Sequence, residues 1–117
     1  MAANITVRPI VDGRLDEWRD FHAALMGSRR IEWAQSQRRR GITRQVVSLV
    51  QDGGRNLAVM FTEGRDPQAA LEGLEDSTDA FDVWLIESVR ALHGEPLSSE
   101  ITLDTAPRPG PWKGWRR

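Results

Sequence analysis

The stretch Arg44 to Glu63, RQVVSLVQDGGRNLAVMFTE, sets two β-rich runs on either side of Asp52-Gly53-Gly54. Aspartate and glycine tolerate the positive φ that a tight turn demands, so the stretch predicts an antiparallel hairpin. On its first arm Val46, Ser48 and Val50 alternate with Val47 and Leu49. On its second arm Leu57, Val59 and Phe61 alternate with Ala58 and Met60. Both faces read apolar, whereas a sheet with one face in water reads polar on that face.

Upstream, NITVRPIV (Asn4 to Val11) is β-branched, with Pro9 marking an edge or an early end. After the Asp12-Gly13 turn, Leu15, Trp18, His22, Leu25 and Arg29 fall on one helical stripe. Gly27-Ser28 interrupts that helix, and a second piece to Arg40 turns Ile31 and Ala34 inward and stops at Gly41. Downstream, Asp66-Pro67 opens a helix as N-cap and first residue, and Ser77-Thr78-Asp79 recaps a second one. Phe81, Trp84, Leu85, Ser88 and Leu92 form its inner stripe, and EITLDT (Glu100 to Thr105) reads as a final strand.

This order, β-α-β-β-α-β, predicts an α+β, ferredoxin-like domain over residues 1–106, with a four-stranded antiparallel sheet carrying its helices on one face. Several exposed apolar side chains would forgo ~25 cal/mol per Å2 each and invite aggregation. A sheet-to-sheet homodimer covers the second face without another gene product. Such a chain, with its broken helix DPQAALEGLEDSTDAFDVWLIESVRAL, resembles the dimeric α+β barrel superfamily. That group includes antibiotic-biosynthesis monooxygenase-like proteins, stress-responsive Dabb proteins and small polyketide cyclases. The resemblance covers roughly Ile5 to Thr105, and implies a small homodimer that binds an apolar or aromatic molecule and converts it without a cofactor.

Composition narrows the alternatives. With 117 residues, 39% hydrophobic and 28% charged, the chain suits one globular domain. No apolar run approaches the ~20 residues of a membrane span and no signal-peptide core follows Met1, so a cytoplasmic protein without membrane contact is expected. The chain has no cysteine, which removes thiol chemistry and cysteine metal sites, and it has no HExxH, so no metal is expected. Six arginines between Arg29 and Arg44 face one acid, Glu32, whereas acids dominate from Glu63 to Asp104. Opposed or solvated helical faces account for that asymmetry. Nucleic acid is not expected: the strand NLAVMFTE offers Phe61 alone where an RNA-recognition motif stacks several aromatics.

Against that background His22 is the candidate general base, since imidazole titrates near neutrality. A satisfied core histidine is the alternative. His93 stands at a helix end, where a cation favours the dipole. Trp18, Ser48, Met60, Phe81 and Trp84 are the candidate ligand-binding residues, aromatic and apolar walls with a polar anchor. The tail PRPGPWKGWRR, residues 107–117, carries four positive charges and two tryptophans, and reads as an arm docking on an acidic helix. The rival function is a non-catalytic dimeric protein-interaction module.

Overall fold

The computed structural model describes residues 2–105; the arm expected over residues 107–117 lies outside them. In chain order the elements are β1 (Ala2–Pro9), α1 (Leu15–Met26), α2 (Arg30–Arg39), β2 (Ile42–Asp52), β3 (Arg55–Gly64), α3 (Pro67–Asp76) and α4 (Ala80–Leu92). Gly53 and Gly54 both take positive φ, 55° and 83°, so the turn matches the right-handed twist of the strands it joins. At the far end of the hairpin, a Cβ on Gly64 would run into the Gly41 carbonyl oxygen, so only glycine lets the chain close there.

The three strands form one antiparallel sheet in the order β1-β3-β2. The fold is therefore α+β, with three strands among the described residues rather than the expected four. Glu100 to Thr105 is not a strand. The chain after α4 does run beside β1: Leu97 bridges Val7, and Ser99 Oγ donates to the Ile5 carbonyl at 2.7 Å. Beyond Ser99 no further bridge to β1 forms among the described residues, and Leu103 is 81% exposed.

Helices close in where the caps predict. Asp66 accepts from the Ala69 N–H at 3.1 Å with Pro67 next in line, and Asp79 accepts from the Phe81 and Asp82 N–H groups. Trp18, Phe21 and Leu25 of α1, Leu74 of α3, and Phe81, Leu85 and Leu92 of α4 share one core with Ala58 of β3. Trp33 of α2 packs against it, so the helices cover a single face of the sheet. The expected inward residue Ile31 is 67% exposed. The three-residue break at Gly27–Arg29 rephases α2, so that Trp33 and Ser36 face inward instead.

One polar cluster fastens α2 to α4. The Asp82 carboxylate, 2% exposed, accepts from Ser36 Oγ at 2.6 Å, from Ser77 Oγ at 2.7 Å and from Arg39 Nη2 at 3.2 Å. Burial alone pushes this carboxyl up, but the hydrogen bonds from Ser36, Ser77 and Arg39 and the Arg39 charge outweigh it and hold it below its ordinary value. A carboxylate depressed in the folded state adds stability above its unfolded value, and that stability is lost as pH falls through the folded one. We expect Asp82→Asn to cost about 1–3 kcal/mol in urea unfolding at neutral pH, and to flatten the acid limb of the stability curve. An unchanged midpoint would show that the cluster fastens nothing.

Candidate functional site

Strand register decides what each face of the sheet presents. On the helix side the cross-strand rungs are Asn4–Thr62–Gln45, Thr6–Met60–Val47 and Arg8–Ala58–Leu49. On the open side they are Ile5–Phe61–Val46, Val7–Val59–Ser48 and Pro9–Leu57–Val50. The covered face is the more polar of the two, an inversion of the ordinary arrangement. A register shift between Ile42 and Arg44 changes the phase of β2, which keeps Ile42 inward together with Val47 and Leu49.

Polar groups are tolerated under the helices because the layer between helices and sheet is not filled. A cavity of about 810 Å3, partly open to solvent, lies there. Its floor is the inner sheet face, Thr6, Gln45, Val47, Met60 and Thr62 among it, and its roof is Trp18, Leu25, Leu85 and Ile86. Such a volume, with mostly apolar walls and a few polar anchors, falls in the range of small-molecule sites.

Of the sequence candidates, Trp18, His22 and Met60 line this cavity. Ser48 does not: it shares its phase with Val46 and Val50 and stands on the open face opposite Val59. Phe81 and Trp84 are not among the lining residues; they build an aromatic cluster, with ring centroids 5.5 Å apart. Phe21 approaches Trp84 at 5.4 Å, and the Arg29 guanidinium lies 4.0 Å from the Trp84 ring centroid. That cluster braces α1 and α2 against α4 and so shapes the cavity roof from behind. Gln45, Thr62 and Arg40 were missed among the candidates. The signal available was the polar pair Gln45 and Thr62 at the same end of the hairpin.

His22 is half-buried, with its ring centroid 4.3 Å from that of Trp18 and edge-on to Phe21 at 5.0 Å. Its Nδ1 lies 2.9 Å from the Trp18 carbonyl oxygen, which can only accept, so Nδ1 carries the hydrogen. Nε2 of the neutral ring then keeps a lone pair. Burial pushes the imidazole down, with the hydrogen bond to the Trp18 carbonyl restoring part of the loss. A neutral ring with an uncommitted Nε2 is the form a general base needs.

His93 has a different place. Its Nδ1 lies 3.2 Å from the Pro9 carbonyl oxygen and ties the end of α4 to the end of β1. Burial pushes it down too, with nearby Arg8 and His22 charges opposing a cation, so the neutral ring is favoured here rather than the dipole-compensating cation.

Among the described residues, no three histidine, cysteine, aspartate or glutamate side chains gather in a way that could hold a metal ion. No helix there is long and apolar enough to cross a membrane. No protein-family model matches the chain, and no curated protein is significantly similar to it.

Both histidines are more reluctant to take a proton folded than unfolded, so protons favour the unfolded chain. Their contribution to stability is whole above the ordinary value of 6.5 and is lost as pH falls below it. Melting followed by circular dichroism from about pH 7 to about pH 5 should show that decline, and His22→Gln should make it shallower. A melting temperature equally pH-dependent in the variant would contradict the burial of His22.

Proposed function

We propose that the protein is a small homodimer that binds an apolar or aromatic molecule between its helices and its sheet, and acts on it without a cofactor. The observation that carries this reading is the cavity of about 810 Å3 with His22 among its lining residues. In the catalytic form of the proposal His22 takes a proton from a bound hydroxyl or an acidic carbon, while Trp18 and Met60 hold the apolar body. This resembles the cyclase, isomerase and monooxygenase-like chemistry of the dimeric α+β barrels. Assembly is argued from the open sheet face, where Ile5, Val7, Leu57, Val59 and Phe61 lie on the side opposite the helices of the described residues. Val46 and Val50 continue that patch at 43% and 39% exposure. A twofold pairing of such faces buries apolar surface on both copies at once. A cytoplasmic location accords with the cysteine-free composition.

The interaction-module reading has one observation of its own. Met26 and Ile31, 77% and 67% exposed, flank the turn between α1 and α2 beside Arg30. Ile31 belongs to neither the cavity nor the open sheet face, whereas Met26 also lines the cavity.

Static light scattering at micromolar concentration should return twice the chain mass, and Val59→Arg should return the single mass with its helical signal intact. A wild-type monomer would remove the dimer from the proposal. For the site, 2-naphthol should quench tryptophan fluorescence saturably. His22→Ala should weaken it by about tenfold, the value of one hydrogen bond, and shift melting by no more than about 3 °C. No saturable binding at millimolar 2-naphthol would favour the interaction module.

A further inference from the structure

The order β1-β3-β2 leaves β1 and β2 as the two edges of the sheet. An open edge is a template for another strand, and proteins blunt it with proline, charge, a bulge or a covering segment. The β1 edge has such guards. Pro9 ends it, and the chain after α4 lies alongside it through the Leu97–Val7 bridge and the Ser99 hydrogen bond to the Ile5 carbonyl. The β2 edge is different from Arg44 to Asp52: no proline interrupts it, the register shift falls before it, and charge is confined to its two ends. Every residue of that stretch keeps regular pairing with β3 on the inner side. Among the described residues, no strand or bridge occupies the outer side.

The stretch reads RQVVSLVQD, close to a palindrome about Ser48. Laid antiparallel against a second copy with Ser48 facing Ser48, it sets Val46 against Val50 and Val47 against Leu49. Gln45 then faces Gln51, and Arg44 faces Asp52 at both ends. Sliding the copies by two residues either way sets Ser48 against a valine and one of the charges against another. A slide by one brings the open face of one copy level with the helix side of the other. Arg44, Val46, Ser48, Val50 and Asp52 share the open face, where the Arg44 guanidinium lies 5.9 Å from the Phe61 ring centroid. Arg44 and Asp52 are exposed, and each stands across from an opposite charge on β3, Glu63 and Arg55. Neither enters a salt bridge among the described residues.

We propose that the outer edge of β2 is an interaction surface for a second copy of this chain, paired antiparallel about Ser48 into one continuous sheet, β1-β3-β2-β2-β3-β1. Main-chain hydrogen bonds hold the pair, and the Arg44–Asp52 contacts at its two ends fix the register. The twofold axis stands perpendicular to the sheet, so both copies keep their helices on one side and their apolar faces merge on the other. This surface is distinct from the face pairing proposed above and does not rest on it. An axis between two facing sheets runs parallel to them, so both pairings are compatible and together close a four-chain assembly. A nine-residue edge buries less than the ~1,200 Å2 of a standard stable interface, so it pairs more weakly than the face and only in concentrated solution.

Sedimentation equilibrium of the full chain carrying Val59→Arg, in which the faces do not pair, isolates the edge. We expect the single mass at micromolar concentration and a climb toward twice that mass by about 500 µM. Added to that variant, Asp52→Arg or Arg44→Asp sets like charges opposite each other at both ends, and each should weaken association at least about tenfold. An equimolar mixture of the two should regain it, because unlike charges then meet at both ends. A loss of folding would not be repaired by mixing. A Val59→Arg chain that keeps the single mass throughout overturns the edge pairing and leaves the face pairing, judged on the wild type at micromolar concentration, untouched. Association that neither charge reversal weakens overturns it as well. Where Val59→Arg fails to fold, the same reversals are read in the wild type as passage from twice to four times the chain mass, lost in each variant and regained on mixing. A wild-type mass that never passes twice the chain mass overturns the edge pairing.

Discussion

The pairing register of β3 with its two neighbours is the constraint on which everything else rests. Each residue of β3 fixes a rung across three strands, and side chains along a strand alternate between faces, so one register sets the chemistry of both surfaces. Slipping either partner by one residue would bring Phe61-like neighbours under the helices and the Gln45 or Asn4 side chain to the open face. The Gly53-Gly54 turn holds β2 in place against β3, and the Gly64–Gly41 approach closes the opposite end. The sheet is thus pinned at both ends of its central hairpin.

What the register produces is a sheet with two different tasks. Its helix side is lined with a polar rung, so the helices cannot settle onto it as a dry core; they bridge it, and a cavity follows. The bridging needs bracing elsewhere. The Ser36–Asp82–Ser77 cluster and the ring contacts of Phe21, Trp33, Phe81 and Trp84 hold the helical layer together without leaning on the sheet floor. Stability and site overlap at the roof, where Phe21 and Trp33 both brace the helical layer and line the cavity, while Met60, Val47 and Gln45 belong to the floor. The open side of the sheet, apolar along its three rungs but for Ser48, is left as the surface that calls for a partner.

Much of the local structure was legible because it follows from short-range chemistry. Asp52-Gly53-Gly54, Asp66-Pro67 and Ser77-Thr78-Asp79 announce a turn and two helix starts through φ preferences and capping, and each element forms there. His22 and Trp18 share a helical stripe that turns toward the sheet, so helical phase places them together at the cavity. The misplacements share a cause: they depend on partners distant in sequence. Ser48 faces away because the helices chose the other side of β2, which alternation cannot reveal when both sides are apolar. Ile31 points out because a three-residue break rotates α2 by an amount that no periodicity within either helix records. Glu100 to Thr105 has the composition of a strand, but contact with β1 is limited to the Leu97–Val7 bridge and the Ser99–Ile5 hydrogen bond.

The central claim, that the apolar side of the sheet is covered in solution, has a direct measurement because the chain contains no cysteine. A thiol introduced by Ser48→Cys sits on that face beside Val59, and one introduced by Ser28→Cys sits on the exposed turn between α1 and α2. Their reaction rates with an aromatic disulfide reagent at micromolar protein compare the two surfaces within one fold. A covered face predicts that Ser48→Cys reacts at least about tenfold more slowly than Ser28→Cys and gains on it as the protein is diluted. Equal rates at every concentration would mean that the sheet stands open to water, and the account built on its two faces would be wrong.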